Sequence, residues 1–234
     1  MRVSLIIPCF NEEENLPILF NKLQNLKNNK SIEIIIVENG STDNSLSVLK
    51  SFKSNFSNIR LVAISQNKGY GYGIIKGLKE ATGDLLAWTH ADMQTDPTDI
   101  LKGLKKFNKN GDKIFAKGLR YGRKPSDRIF TVFMSIFASL NLNCFLWDIN
   151  AQPSIFPASF LNDWENPPFD FSLDLYAYFL AKRKGYKIKR FKVKFDKRKF
   201  GSSKWNINFE SKIKFIKRNI RYIIKLSNDT SKWK

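Results

Sequence analysis

The chain has 234 residues and a formal net charge of +19, from 40 Lys and Arg against 21 Asp and Glu. This length is enough for one sizeable core, so we expect a single main domain. With only two cysteines, Cys9 and Cys144, the sequence excludes a disulfide framework and a thiolate zinc site, and it predicts a reducing compartment.

The positive charge is concentrated in the second part of the chain. From residue 117 onward lie 25 of the 40 basic residues but only 9 of the 21 acidic ones. This asymmetry predicts a polyanionic partner, which is a nucleic acid, an anionic membrane surface or a phosphorylated substrate. A solvated basic surface is the alternative.

The first part of the chain alternates between strand-like and helix-like segments. The predicted strands are 3–7, 32–37, 60–64 and 85–88, and the predicted helices are 13–26, 45–52 and 72–81. Because the strands are near-continuous runs of Ile, Val and Leu, we expect an α/β fold with a mostly parallel sheet and helices on both faces. Ligands bind such sheets at the carboxyl ends of the strands, so loops 8–14, 38–43, 66–73 and 89–96 should converge at one edge.

The loop after the fourth strand carries a row of oxygen-bearing side chains. Asp92, Gln94 and Asp96 follow the apolar strand at alternating positions. Hard divalent cations prefer oxygen ligands and are commonly held by one or two side chains plus substrate phosphates. The pattern therefore predicts a metal and a diphosphate here. The alternative is a polar loop in which Asp96 caps a helix that begins at Pro97.

Two further loops carry unusual residues. Glu38 places a charge at the end of an apolar strand, where it would accept a hydrogen bond from a nucleobase. Residues 67–73 contain three alternating glycines before a helix, which permits close approach of a ligand. The run has neither the Lys-Ser/Thr pair of a P-loop nor the dinucleotide spacing, which disfavours kinase-like and NAD-dependent functions.

Residues 129–147 carry no charge and have the length of a membrane span. Serine and asparagine dilute their hydrophobicity, so we expect a helix that is buried or lies at a membrane interface. A helix is predicted at 173–184, and residues 182–204 alternate basic with apolar side chains, as in an amphipathic strand or hairpin.

The last segment predicts a basic amphipathic helix. Its apolar positions are Phe209, Ile213, Ile216, Ile220 and Ile224, with Lys and Arg on most of the remaining surface. Such a helix suits an anionic lipid surface. The alternative is that the apolar stripe packs on the protein's own core.

Four motifs in this order resemble the inverting family 2 glycosyltransferases of the GT-A fold, which has a Rossmann-like sheet. They are Ile-Pro-Cys-Phe-Asn-Glu-Glu at 7–13, Val-Glu-Asn-Gly-Ser-Thr-Asp at 37–43, Asn-Lys-Gly at 67–69 and Ala-Asp-Met-Gln at 91–94. Within that family the chain looks most like the dolichyl- or polyprenyl-phosphate sugar synthases, because of Gln94 and of the segments 118–121, 148–152 and 195–204. The resemblance covers residues 2–205.

The resemblance implies a role for each matching position. The donor would be bound by Pro8, Phe10, Glu12, Glu38, Asn39, Lys68, His90 and Asp92. Asp92 and Gln94 would hold Mg²⁺ or Mn²⁺ on the diphosphate. The catalytic residues would be Asp92, Arg120, Asp148, Arg198 and Lys204, with Arg128 also facing the phosphates.

The chain departs from the family pattern at two places. The metal motif usually begins with Asp where this chain has His90, which leaves the metal charge less neutralised. His90 is the only histidine; it would ligate the metal, bind a ribose or sugar hydroxyl, or serve the structure alone. The second strand usually ends in two Asp where this chain has Glu38 and Asn39, so the base stays open.

The implied activity is metal-dependent sugar transfer from a nucleotide diphosphate sugar to a polyprenyl phosphate, by a protein peripheral on the cytoplasmic face of a membrane. A lipid phosphate is already ionised and needs no general base. A glycan or glycolipid hydroxyl, the alternative acceptor, would need a carboxylate, for which Asp148, Asp170 and Asp174 are the candidates.

Two other classes of function compete with this interpretation. They are a catalytically silent nucleotide-sugar binder and a nucleic-acid binder, although the chain carries no recognisable nucleic-acid motif. We expect a glycosyltransferase domain over 1–205, with a nucleotide-sugar part at 1–116 and an acceptor part at 117–205, followed by the basic helix and tail at 206–234.

Overall fold

Seven strands form one mixed sheet in the order β3-β2-β1-β4-β6-β5-β7. The computed structural model describes residues 1–107, 113–123, 125–201 and 209–229. The strands are β1 (Val3–Cys9), β2 (Ile32–Asn39), β3 (Ile59–Ile64), β4 (Leu85–Trp88), β5 (Ile114–Tyr121), β6 (Ser154–Pro157) and β7 (Lys187–Lys194). The helices are α1 (Leu16–Leu23), α2 (Ser45–Lys53), α3 (Tyr70–Lys79), α4 (Ile100–Leu104), α5 (Pro125–Asn141), α6 (Leu173–Arg183) and α7 (Phe209–Asn228).

The central strands are buried on both faces, which explains their unbroken apolar sequences. Every residue of β1 and β2 is buried. One face of the sheet packs against α1, α2 and α4, with Leu16, Leu49 and Ile100 in the core. The other packs against α3 and α6 through residues such as Ile74 and Ala177. The predicted α/β sheet with helices on both faces is confirmed.

The first four strands are parallel, as predicted, and their helices differ from the prediction only at the ends. The helix predicted at 13–26 is a regular α-helix only over Leu16–Leu23 and ends in a 3₁₀ turn. Its start is late because Glu12 O accepts the N–H groups of both Asn15 and Leu16, which makes a turn of residues 12–15. The third helix begins at Tyr70, two residues before the predicted start.

The second part of the chain completes the sheet with a change of direction. Strand β6 is antiparallel to both β4 and β5, whereas β7 pairs with β5 in parallel. Of the alternating basic tract, Lys187–Lys194 is therefore a strand at the edge of the sheet. Its four lysines are exposed, whereas Arg190 is half-buried and donates to Trp147 O and Gly118 O. Within the described residues the tract forms no hairpin.

Helix α5 corrects the prediction for residues 129–147, because it ends at Asn141 and only one side of it is buried. Its buried side includes Ala138 and Ser135. In the described part of the chain, no helix combines the length and the apolar composition that a membrane crossing requires.

Helix α7 packs on the protein, and its buried face differs from the predicted stripe. Phe215, Asn219, Ile223 and Leu226 are buried, whereas Ile224 is 44% exposed. Ile223 and Leu226 join a cluster with residues of α5 and α6. The alternative interpretation, in which the apolar face covers the protein's own core, therefore describes this helix.

Candidate active site

The four loops expected at one edge of the sheet contact one another there. The backbone N–H of Asn11 donates to Ser41 Oγ at 3.1 Å, and the Asn11 side chain accepts from Thr42 N at 2.8 Å. Asn39 Nδ2 donates to Gly69 O at 2.9 Å, which joins the second loop to the third. The third and fourth loops meet where the rings of Tyr70 and His90 stack. The predicted convergence is confirmed.

Glu38 and Asn39 are both buried at the end of β2. Glu38 Oε1 accepts the N–H of Ser41 at 2.6 Å, so this carboxylate shapes the loop that follows it. Asn39 lies against Gly73 and Gly69, and its buried Oδ1 has no hydrogen-bond partner among the described residues. An acceptor left in this state is available to a bound group.

The alternating glycines serve the protein's own packing. A Cβ on Gly69 would lie 2.3 Å from Phe169 O, and one on Gly71 would lie 2.4 Å from Pro168 O. A Cβ on Gly73 would press against the Asn39 side chain. These glycines were expected to let a ligand approach the backbone. In the structure, Gly69 and Gly71 instead allow the start of α3 to pack closely against the 168–170 backbone.

Asp92 and Gln94 lie half-buried at the open edge of the sheet, on either side of buried Met93. Met93 adopts a positive φ of 58°, a conformation that costs a residue with a Cβ about 1–2 kcal/mol. Such strain is often found at functional loops. The turn allows Asp92 Oδ1 to accept the N–H of Gln94 at 3.1 Å.

Asp96 takes the alternative role of a helix cap. Its Oδ1 accepts from Thr98 N at 2.9 Å, and its Oδ2 pairs with Lys22 Nζ at 2.9 Å. Within the residues described, no three Asp, Glu, His or Cys side chains form a cluster that could hold a metal. One carboxylate and one amide fit a cation whose other ligands are phosphate oxygens and water, but not an all-protein site.

Arg198 and Glu12 lie together, although the resemblance implied separate roles for them, Glu12 in binding the donor and Arg198 in catalysis. They form an ion pair, and Glu12 Oε2 also accepts from Asn15 Nδ2 at 2.7 Å. Asp196 N donates to Gln94 O at 2.8 Å, so the segment after β7 crosses both the first and the fourth loop. Burial raises the pKa of the Glu12 carboxyl in spite of its Arg198 partner.

A basic cavity of about 220 Å³ lies between β5 and α5. Arg120, Arg123, Arg128, Thr131 and Asp148 are among its lining residues. Three arginines and one aspartate line the cavity, so it has an excess of positive charge. It therefore fits an anionic group such as a phosphate.

Asp148 holds Arg120 and Arg123 in place. It is 1% exposed and accepts from Arg120 N at 2.9 Å and from Arg120 Nε at 2.8 Å, while Arg123 Nη2 lies 3.4 Å away. Burial by itself would raise the pKa of the Asp148 carboxyl, but the Arg120 guanidinium holds that pKa below its usual range. A carboxylate held in this way is a poor proton acceptor.

The other two base candidates are also occupied. Asp170 accepts from Ser172 N at 2.8 Å and pairs with Arg218 at 3.2 Å. Asp174 is buried among Trp88, Tyr70 and Gln152, so it cannot reach an acceptor hydroxyl. In the described conformation all three candidate carboxylates are thus bonded to other groups of the protein.

The remaining predicted residues occupy different environments. Pro8 is buried at the end of β1 and Phe10 is half-buried after it. Lys68 is exposed, with its Nζ 5.4 Å from the centre of the Tyr72 ring. Lys204 lies outside the described residues.

A buried polar cluster of Lys117, Ser154 and Asp174, which was not predicted from the sequence, lies beneath this edge. Lys117 is fully buried, 3.1 Å from Ser154 Oγ and 3.7 Å from Asp174 Oδ1. Burial lowers the pKa of Lys117 to about 8, although Asp174 acts against this shift. The signal was present: a lysine follows three apolar residues in β5, and an aspartate interrupts the apolar start of α6.

A model of the family described as glycosyl transferase family 2 matches residues 4–154, which is more than half of the chain. The chain is 35% identical over 121 residues to a dolichol-phosphate mannosyltransferase of Pyrococcus furiosus, covering 52% of this chain and 34% of that protein. It is 37% identical over 105 residues to an undecaprenyl-phosphate 4-deoxy-4-formamido-L-arabinose transferase of Proteus mirabilis, covering 42% of this chain and 31% of that one. The match thus spans about a third of the length of each relative.

Solved structures show the same fold. A glucosyl-3-phosphoglycerate synthase from Mycobacterium tuberculosis, in complex with Mn²⁺, UDP-glucose and phosphoglyceric acid, superimposes with a TM-score of 0.73. The match covers 97% of this chain and 79% of that one, with 12% sequence identity. A likeness at this identity establishes the shared architecture alone, and it confirms the predicted GT-A fold.

Proposed function

The chain belongs to glycosyl transferase family 2, and we propose that this glycosyltransferase moves a sugar, with inversion, from a nucleotide diphosphate sugar to a polyprenyl phosphate or related lipid at a membrane surface. The observation that carries the proposal is the basic cavity at Arg120, which is lined in part by helix α5 with its exposed apolar residues. The Arg120 guanidinium lies 5.2 Å from the centre of the Phe195 ring, and the next residue, Asp196, donates its N–H to Gln94 O in the fourth loop. The lipid phosphate is the acceptor named for both curated relatives.

The donor half of the site fits a nucleotide diphosphate with a divalent cation. Asp92 and Gln94 would hold Mg²⁺ or Mn²⁺, which would stabilise the negative charge that develops on the leaving diphosphate. Glu38 and Asn39 lie at the end of β2, where the unpartnered Asn39 Oδ1 could accept from the nucleoside. The solved relative with Mn²⁺ and UDP-glucose supports this assignment.

The described residues of the acceptor half supply cations, and the three candidate bases Asp148, Asp170 and Asp174 are all paired. Asp148 fixes Arg120 by two contacts from the side chain and one from the backbone, so the guanidinium is held in place before a phosphate arrives. Preorganised charge of this kind contributes to rate because it needs no rearrangement during the reaction. An ionised lipid phosphate attacks without losing a proton, which is the chemistry that this set of residues can support.

The membrane surface would be formed by two helices that run side by side. The ring centres of Phe130 in α5 and Phe215 in α7 are 6.3 Å apart. At the C-terminal ends of the two helices, Ser227 Oγ donates to Asn141 O. Helix α5 exposes one apolar stripe, which consists of Ile129, Phe133, Ile136 and Leu140, each at least 52% exposed. Helix α7 exposes basic residues, including Lys214, Lys217 and Arg221.

Both helices were predicted from the sequence as candidates for a membrane interface, and in this arrangement α5 supplies the apolar surface and α7 the basic one. Contiguous exposed apolar surface marks an interaction site, and flanking Lys and Arg favour anionic lipid headgroups. Arg128 and Thr131, which belong to α5, line the cavity. A lipid phosphate bound in the cavity would therefore have its tail along the apolar stripe of the same helix.

The test of the activity is a panel of nucleotide diphosphate sugars with polyprenyl phosphate and Mg²⁺ or Mn²⁺, read as nucleotide release and as glycolipid formed. We expect one donor to support turnover, and Asp92→Asn to lower kcat/KM at least about 100-fold because charge stabilisation of the leaving group is lost. Turnover that Asp92→Asn leaves intact would refute the metal role. Transfer to a glycan hydroxyl in place of the lipid would favour the alternative acceptor.

The membrane surface has its own test, in which the protein is sedimented with anionic vesicles at low and high salt. We expect Phe133→Ser with Leu140→Ser to weaken binding about 10-fold or more, since burial of each large apolar side chain contributes about 1.5–3 kcal/mol. A matched control replaces Leu101, an exposed apolar residue of α4, by Ser. Equal binding by the double variant and the control would show that α5 does not meet the membrane.

A further inference from the structure

We propose that Tyr70 is a positioning residue, which fixes the His90 imidazole at the start of the metal-binding loop so that its nitrogen atoms face the donor. The inference rests on the proposed function for the identity of the donor. The position of the ring rests on the structure alone. Neither residue pattern nor spacing singled out Tyr70, which lies between two glycines.

Three rings form a stack that ends at His90. The centres of the Tyr70 and His90 rings are 5.0 Å apart with an interplanar angle of 26°, and those of Tyr70 and Phe171 are 4.6 Å apart at 11°. These distances are typical of favourable offset stacking. Tyr70 is thus sandwiched between the acceptor half of the chain and the donor loop.

The hydroxyl of Tyr70 fixes the ring within its plane. It donates to Asp174 Oδ2 at 3.3 Å and accepts from Gln152 Nε2. Asp174 is itself fixed, because Trp88 Nε1 donates to its Oδ1 at 3.2 Å and Lys117 lies 3.7 Å away. A buried carboxylate with several donors is costly to displace, so it anchors the tyrosine firmly.

The backbone around Tyr70 is fixed as well. Gly69 and Gly71, on either side of it, approach the 168–170 backbone more closely than any residue with a Cβ could. The N–H of Tyr72 donates to Phe169 O at 3.0 Å. The start of α3 is therefore attached to the segment that carries Phe171, and this attachment sets the ring stack.

His90 depends on this stack for its orientation. No hydrogen bond joins its imidazole to any other residue in the described part of the chain, although the side chain is half-buried. His90 follows β4 and comes two residues before Asp92, so its half-buried ring lies at the edge of the sheet where the loops meet. A neutral imidazole has one donor and one acceptor nitrogen, which suits a hydroxyl of the nucleotide sugar.

The single histidine makes the proposal directly measurable, because its two ring C–H groups give unambiguous NMR signals. A stacked aromatic ring shields these protons. We expect Tyr70→Leu and Phe171→Leu to move the signals, Tyr70→Leu the further, whereas Tyr70→Phe keeps the ring and largely keeps the shift. The matched control is Phe52→Leu, which removes a ring stacked on Phe20 far from the site.

The kinetic readout distinguishes positioning from general stability. With the donor that the wild type uses, Tyr70→Leu should raise the donor KM about 10-fold and alter kcat less, as expected when ground-state binding is lost. Phe52→Leu should change neither. Unmoved His90 signals in Tyr70→Leu, or a donor KM equal to that of the wild type, would overturn the proposal. If the wild type uses no nucleotide sugar, the proposed function fails, while the NMR comparison still decides whether Tyr70 stacks on His90 in solution.

Discussion

Arg198 forms an ion pair with Glu12 across a separation of 186 residues, and this contact joins the segment after β7 to the first loop of the sheet. Arg198 Nε and Asn15 Nδ2 both donate to Phe200 O, at 2.9 and 3.3 Å. The contact brings a guanidinium to the edge where the diphosphate would lie. Glu12 therefore has a second role besides the one implied for it in the nucleoside pocket, because it holds Arg198 at this edge.

Replacement of Arg198 by Gln should lower kcat/KM by about 100-fold, because it removes a guanidinium that would stabilise the charge developing on the leaving diphosphate. Arg198→Lys should recover part of this loss, because lysine restores the positive charge but not the planar guanidinium group with its paired N–H donors. The control is Lys199→Gln, an exposed neighbour in the same segment. Equal activity of the Arg198 and Lys199 variants in a turnover assay would show that Arg198 contacts no substrate.

Asp148 should be needed for the arrangement of the arginines and not as a base. Asp148→Asn leaves Arg120 and Arg123 without their carboxylate, and should lower the free energy of unfolding by about 3 kcal/mol near neutral pH. Because the folded-state pKa of Asp148 lies below its ordinary value, this contribution is present above the unfolded pKa and disappears as the pH falls through the folded pKa. Urea denaturation at neutral and acidic pH measures it. A loss of stability as large in acid as at neutral pH would contradict this explanation.

Glu33 is also a buried carboxylate, but unlike Asp148 it lies away from the candidate site. It accepts from Thr82 N at 2.7 Å and from Ser4 Oγ, and it pairs with Arg60 at 3.2 Å. Burial would raise the pKa of Glu33, but the hydrogen bonds of Ser4 and Thr82 lower it below the ordinary value. Glu33→Gln should therefore cost about 2 kcal/mol of stability near neutral pH, an advantage that is lost in acid, and leave kcat/KM unchanged. A drop in kcat/KM below the unfolding temperature would refute its purely structural role.

The sequence predicted what depends on local pattern. The first four strands, their order along the chain and the convergence of the loops follow from apolar runs and turn residues, and the same is true of the Asp96 cap. The strands β5 and β6 were not predicted. The face of α7 was misjudged because several of its apolar residues lie around the helix, and only contact with α5 and α6 selects Phe215 and Ile223. Tyr70 and Asp148 act through partners more than 25 residues away, as the separations of 104 and 28 residues to Asp174 and Arg120 show. No local pattern records such contacts.

Lys117 should make the protein more stable as the pH rises above neutral. Burial lowers the pKa of this lysine to about 8 in the folded state, against 10.5 as its ordinary value. Between these values the unfolded chain binds more protons than the native one, so the free energy of unfolding increases with pH, by about 2 kcal/mol from about pH 7.5 to about pH 9.5. Lys117→Met keeps the length of the side chain without the charge and should remove that increase, whereas Lys189→Met, an exposed lysine of β7, should keep it. Urea denaturation of the three proteins at both pH values measures the difference. The same rise in Lys117→Met as in the wild type would mean that another group titrates, and that Lys117 keeps its charge throughout this range.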